Sequence, residues 1–389
     1  MNSPTHTPTL LTNARLVLSE EIVHGSLQCH SGLIQAVDAG ATTVAGAVDL
    51  QGDYLLPGLV EVHTDNFERH LMPRPKVRWD NAPALLAHDA EIAAAGITTV
   101  LDALGVGESD PDSVRGSEWD TVLECLSDFS QRGVLRAEHL LHVRCELPAP
   151  NTLELFKPFV GNTLVRMLSV MDHAPGQRQW ENIEHAWIYF TGKKGWSQAK
   201  FEERVAQSLE HQARYALPHR AYFADYCKQH GITLASHDDT TVAHVEQAHA
   251  EGATVSEFPT TVAAAQAARE HHMATIMGGP NVVRGGSHSG NVSAIELARL
   301  GLVDILSSDY VPGSLISAMV RLTETAGLSL PQASALVSRN PAHALGLHDR
   351  GSISQGLRGD LVQVRMTPLA DGRQQAVVRA VWRGGVRVA

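Results

Sequence analysis

The rhythm of apolar and polar positions changes twice along this chain of 389 residues. From residue 1 to about 56, apolar positions alternate with polar ones and are interrupted by Gly and Asp, in ARLVLS, GSLQCHSG, LIQAVDAG and AVDLQGDYLL. That alternation predicts short strands of a sheet packed on one face. Residues 346–389 return to the same texture in GSISQGLRGDLVQVRM and QQAVVRAVWRGGVRV. The two ends are therefore expected to pair into one small β-sandwich, separate from what lies between them.

Between them, residues 57–345 alternate strand-like apolar runs with helical stretches. The runs are PGLVEVHTD (57–65), ITTVLDAL (97–104), EHLLHVRCE (138–146) and LVRMLSVMDH (164–173), then ITLASHDD (232–239), ATVSEFP (253–259), ATIMGGP (274–280) and VDILSSD (303–309). Segments such as PALLAHDAEIAAAG, EWDTVLECLSDFSQRG and TVAHVEQAHAEG carry helical spacing between them. Strands and helices in strict alternation over this length predict an α/β fold of the (β/α)8, TIM-like barrel type. A doubly wound sheet would want a glycine fingerprint after its first strand, and PGLVEVHTD has none.

Composition narrows the function classes without choosing among them. Lys and Arg number 31 against 42 Asp and Glu, a formal charge of −11, so no general basic face is available to coat nucleic acid. No run approaches the roughly 20 apolar residues that span a bilayer, and MNSPTHTPTLLTNARL lacks the basic-then-apolar pattern of a secretion signal. Cys29, Cys125, Cys145 and Cys227 are scattered without a C-x-x-C spacing, as expected of reduced thiols. Together these point to the cytoplasm. The 21 histidines make a search for metal ligands worthwhile.

In a barrel of parallel strands the active site lies at the strands' C-terminal ends. Here those ends carry His63 and Asp65, Glu146, His173, His237 with Asp238 and Asp239, Glu257, and Asp309. A strand that is apolar until it presents His, Asp or Glu places a costly group where water or a metal must satisfy it. His63 and Asp65 are two apart on a strand, so both leave the same face and can reach one cation. Imidazole with carboxylate suits Zn2+, or Mn2+ and Fe2+ less selectively. Glu146 could bridge two ions with its two oxygens, with His173 and His237 completing the coordination of the second ion; its bland alternative is an ion pair with Arg144 on the same face. Asp309 can take a proton from water and serve as the catalytic base. Glu257, just before Phe-Pro, is read as ordering its loop.

Other motifs carry less. HVEQAH (244–249) is not a zinc-protease helix, because His244 and His249 are five apart and diverge. Neither a P-loop nor the deaminase H-x-E…P-C-x-x-C pattern occurs. Two segments look suited to an anion: FTGKKGWS, with Lys193 and Lys194 between glycines, and GGPNVVRGGSHSGN (278–291), a glycine loop around Arg284 and His288. Glycine-rich backbone can aim N–H groups at phosphate oxygens. For KKG alone a solvated turn is the simpler reading.

DYLLPGLVEVHTDNFERH, LHVRCE, SHDDTT, SEFPTT, GGPNVVRGGSHSGNVSA and LSSDYVPGS together resemble the phosphonate-metabolism members of the amidohydrolase superfamily, over nearly the whole chain. Most of that superfamily carries H-x-H on the first strand, whereas His63-Thr64-Asp65 matches this branch. The resemblance implies hydrolysis of a ribosyl 5-triphosphate bearing a 1-methylphosphonate, giving the 5-phosphate and pyrophosphate. It also implies metal ligation by His63, Asp65, Glu146, His173, His237 and Asp309, one or two divalent ions (Zn2+ foremost), and Lys193, Lys194, Arg284 and His288 on the phosphates. No lysine ends a strand where a carboxylated bridging Lys would stand, which favours Glu146 there. The expected partner is a small phosphorylated molecule, with a homodimer as the candidate assembly and neither nucleic acid nor membrane. Two rivals stand beside it: a hydrolase of cyclic amides or amine-bearing heterocycles, and a metal-free scaffold on the same fold.

Overall fold

The computed structural model describes residues 8–74, 77–107, 119–176, 178, 187, 197–287 and 290–389. Five strands open the chain: β1 (Thr9–Val17), β2 (Ile22–His30), β3 (Leu33–Ala39), β4 (Val48–Asp49) and β5 (Tyr54–Pro57). Eight follow: β6 (Leu59–Thr64), β7 (Ile97–Val106), β8 (Glu138–Glu146), β9 (Val165–Met171), β10 (Thr233–His237), β11 (Val255–Glu257), β12 (Ala274–Gly278) and β13 (Ile305–Ser307). The chain closes with β14 (Leu361–Pro368), β15 (Gln374–Arg383) and β16 (Val386–Arg387).

All eight expected barrel strands are present, hydrogen-bonded side by side in sequence order from β6 to β13. A parallel bridge between Thr64 and Asp309 joins the ends of the first and last, so the sheet is a nearly closed parallel barrel. Both faces of the strands are covered: every residue of β6, β11 and β13 is buried, the polar Glu61, His63 and Glu257 included. Helices α1 (Asn66–Leu71) and α2 (Asn81–Ala94) follow β6. Later crossover helices start where side chains cap them, Thr241 accepting from the His244 N–H and Thr261 from the Ala264 N–H.

The end segments form one continuous, mainly antiparallel sheet in the order β16-β15-β14-β5-β1-β2-β3, with β4 beside β1. It encloses its own core of Leu11, Leu16, Leu27, Ile34, Leu55, Leu361 and Trp382. Gly25 is required in it, since a Cβ there would sit 2.3 Å from the Asp38 carbonyl oxygen.

Chain packing separates two compact units, one of Met1–Asp102, Cys125–Leu140 and Met277–Ala389, the other of Ala103–Glu124 and Leu141–Ile276. The second holds an aromatic cluster in which Phe156, 1% exposed, packs edge-on against Phe223 and Tyr226 at 5.0 and 5.1 Å. Among the described residues no helix is long and apolar enough to cross a membrane.

Candidate metal centre

In the first unit, His63, Asp65 and Asp309 bring one ligand atom each within 4.8 Å of one another. His63 Nε2 lies 3.7 Å from Asp65 Oδ1; the imidazole is buried and the carboxylate about a quarter exposed. Backbone bonds fix the group: Asp65 N–H donates to the Asp309 carbonyl at 2.9 Å, and Asp309 N–H to the His63 carbonyl at 3.0 Å. Asp309 is held in the left-handed region at φ 56°, which Asp tolerates better than most residues.

Glu61 contributes to the same arrangement. It is fully buried, and its two oxygens accept from the His63 N–H at 2.7 Å and the Ser308 N–H at 2.6 Å. One carboxylate thus ties the residues that precede Asp65 and Asp309. Burial pushes its carboxyl up to about 7 despite these bonds. The sequence signal was available, since Glu61, His63 and Asp65 follow period two and share a face.

The second unit holds a second group. His173, His237 and Asp238 also offer ligand atoms within 4.8 Å. Asp238 Oδ2 stands 3.7 Å from His173 Nε2 and 3.5 Å from His237 Nε2. Glu146, at the end of β8, is engaged through both oxygens by His173: Oε1 accepts from the backbone N–H at 3.0 Å, and Oε2 lies 2.6 Å from Nδ1. Space beside Glu146 is tight enough that Gly107 (φ 92°) has no alternative, because a Cβ there would meet Thr152 Oγ1 at 2.2 Å.

Glu257 is a correction to the sequence reading. It does not order a loop; it is fully buried at the end of β11, with Oε2 2.6 Å from His237 Nδ1 and accepting from Ser169 Oγ at 2.8 Å. That contact turns the opposite ring nitrogen of His237 toward Asp238. The following Phe258, in left-handed backbone at φ 56°, is where the chain leaves the strand. Arg178 was also missed. Its buried guanidinium donates to the His237 carbonyl at 2.7 Å and to Asp239 at 2.5 Å, while Asp239 also accepts from Ser256 Oγ at 2.7 Å. Together they pin the turn that carries Asp238 in left-handed backbone at φ 55°.

Charge agrees with geometry. Burial opposes protonation of His173, yet Glu146 and then Asp238 push its imidazole up to about 10. A surround that anionic attracts a cation, and a divalent ion would replace that proton. The donor chemistry of both groups, imidazole with carboxylate, suits transition-metal ions.

The anion-binding expectations fare differently. Lys193, Lys194 and His288 lie outside the described residues. Arg284 is exposed, but at the end of a short helix, Gly279–Arg284, where the sequence suggested a loop. Pro280 at the first turn and left-handed Gly285 (φ 82°) after the last give that helix its start and stop. Gly279 is set by packing, since a Cβ would come 2.8 Å from Ser314 Oγ.

A family model described as "Amidohydrolase family" matches residues 202–389. Alpha-D-ribose 1-methylphosphonate 5-triphosphate diphosphatase of Escherichia coli (strain K12) is 46% identical over 382 residues, 97% of this chain and 100% of that protein. The chain belongs to this diphosphatase family of amidohydrolases. Among solved structures, N-acetyl-D-glucosamine-6-phosphate deacetylase from Mycobacterium smegmatis aligns with a TM-score of 0.63 at 18% identity, covering 99% of this chain and 100% of that one. 5-Methylcytosine deaminase from Klebsiella pneumoniae aligns with a TM-score of 0.63 at 16% identity, covering 98% of both. These two share the fold of the diphosphatase family, and at such identity the likeness extends to the fold alone.

Proposed function

We propose that the chain is a divalent-metal-dependent diphosphatase that hydrolyses alpha-D-ribose 1-methylphosphonate 5-triphosphate to the 5-phosphate and pyrophosphate. The observation that carries this reading is the 46% identity to a relative of that name, aligned over its whole length. The strand-end donor groups support it chemically. His63, Asp65 and Asp309 would hold one ion, and His173, His237 and Asp238 a second, with Glu146 completing the centre against His173. Zn2+ is the ion best matched to these donors, Mn2+ and Fe2+ being less selective fits. When bound, such an ion supplies Lewis acidity toward phosphoryl oxygens and acidifies water.

The reaction adds water across the bond between the α- and β-phosphoryl groups. Oxygen from water ends on one phosphorus, the bridging oxygen leaves on the other, and one proton is released. Asp309 is the group we assign to take that proton. Charge builds on the phosphoryl oxygens, which Arg284, with Lys193, Lys194 and His288, would offset. We take residues 1–56 and 346–389 as a domain apart from the barrel, 57–345, that performs the chemistry.

The test is release of pyrophosphate from ribosyl and nucleoside triphosphates, measured beside a panel of cyclic imides. Pyrophosphate release that disappears in Asp309→Asn and His63→Ala, with unchanged thermal unfolding, is the expected result. Imide turnover without pyrophosphate would overturn the reading.

A further inference from the structure

Side chains from α1, α2, β7 and β8 form a largely buried polar chain that the reaction above does not use. His88, Asp89 and Asp102 are inaccessible to solvent and His139 is nearly so. His88 Nε2 is 2.7 Å from Asp102 Oδ1, and His139 Nδ1 is 2.8 Å from Asp102 Oδ2. His139 Nε2 is 3.3 Å from Asp89 Oδ1. At the other end, Asn66 Nδ2 is 3.1 Å from His88 Nδ1 and donates to Glu91 Oε2 at 3.0 Å. Glu91 Oε2 also lies 2.9 Å from His70 Nε2.

The direction of every bond in this array follows from its members. Asp89 and Asp102 accept, so His139 donates from both nitrogens and is an imidazolium between two carboxylates. His88 donates from Nε2 to Asp102, which leaves Nδ1 to accept from the Asn66 amide, so His88 is neutral. Turning the Asn66 amide over would set its oxygen against the Glu91 carboxylate. Arg136 donates to Asp89 from its backbone at 2.9 Å and its side chain at 3.3 Å. The two cations, His139 and Arg136, thus balance the two carboxylates, Asp89 and Asp102. Although burial opposes both effects, His139 is held protonated up to about 9 and Asp102 is pushed well below the usual carboxylate range.

His88, Asp102 and His139 stand close enough to hold a metal ion, but hydrogen-bond direction argues for protons instead. An ion would need bare nitrogens where both rings now donate to Asp102. His88 would then carry its hydrogen on Nδ1, aimed at an amide N–H.

What the array reaches is the first residue of α1. Asn66 directly follows Asp65, and Asp65 is where the backbone turns from strand to helix, at φ −84° and ψ 4°. One side of that turn is pinned by the Asp65 N–H on the Asp309 carbonyl; the Asn66 amide pins the other side to α2. We propose that the Asp89–His139–Asp102–His88–Asn66 array is a proton-filled brace that sets the orientation of the Asp65 carboxylate, with Asn66 and His88 as positioning residues for metal binding. This rests on the reading of Asp65 as a ligand.

The test compares the full-length wild type with Asn66→Ala, which removes the amide, and His88→Met, which keeps the bulk but removes the acceptor for the Asn66 amide, while His139 still donates to Asp102. Zn2+ affinity is measured by chelator competition, metal content by mass spectrometry, and unfolding temperature in chelator. Both variants should bind Zn2+ about 10- to 100-fold more weakly while unfolding as cooperatively as the wild type, and excess Zn2+ should restore kcat/KM. If either folded variant binds Zn2+ like the wild type, the brace is refuted. If Asp65→Ala keeps the wild type's metal content and affinity, the ligand reading itself fails, and the brace with it.

Discussion

Replacing Glu257 by Gln keeps its shape and removes its charge, which isolates what this buried carboxylate does for His237. In the native protein Glu257 Oε2 lies 2.6 Å from His237 Nδ1 and accepts from Ser169 Oγ at 2.8 Å. The short contact places the hydrogen on Nδ1 and leaves Nε2, the nitrogen facing Asp238, with its lone pair available. A glutamine can turn its oxygen to the ring and keep a weaker neutral bond, or turn its amide nitrogen there. The second choice forces the hydrogen onto Nε2 and takes His237 out of the proposed ligand set. A hydrogen bond to a charged group contributes about 1.5–3 kcal/mol. At about 1.4 kcal/mol per factor of ten, Glu257→Gln should weaken Zn2+ binding by about 10- to 150-fold. Chelator competition on the purified variant reads this directly, and thermal unfolding in chelator confirms that the fold persists. Wild-type Zn2+ affinity in a folded Glu257→Gln protein would refute the claim that this carboxylate sets the ring's tautomer.

Three further outcomes can be checked. Burial opposes the charge on His139, yet Asp102 and Asp89 hold its proton up to about 9, above the ordinary histidine value of 6.5; its stabilisation is therefore complete below about 6.5 and is lost as pH rises through about 9. Urea midpoints between pH 6.5 and 9.5 should fall more steeply for the wild type than for His139→Gln. Arg284→Ala should raise KM for a ribosyl or nucleoside triphosphate while kcat changes little, and an unchanged KM would remove Arg284 from the phosphate site. Phe156→Ala empties the centre of an aromatic cluster and should cost about 3–5 kcal/mol, measured from the urea midpoint.

The barrel strands were legible because they are buried on both faces, which leaves largely apolar runs, and because the polar residues that end them have no reason to sit there unless something satisfies them. The same logic singled out His63, Asp65, Glu146, His173, His237 and Asp309 as candidates, and the structure gathers them into two groups of donor side chains. It failed for Glu257, whose strand is only three residues long and whose Phe-Pro neighbours suggest an irregular segment; nothing local reports that its carboxylate meets His237. Within the glycine run at 278–291 it missed the short helix Gly279–Arg284, because the reason for Gly279 is its packing against Ser314 in another helix. His88, Asp102 and His139 were less legible still, because α2, β7 and β8 contribute one residue each at spacings that match no motif. A ligand betrays itself in sequence through the cost of ending an apolar strand with a charge. Its supports carry no such mark, since a buried His or Asp satisfied by a neighbour on another element reads locally like any core polar residue. Their identity is a property of tertiary contact, and the brace behind Asp65 could be recognised only once the bond directions from Asp89 to Asn66 were fixed together.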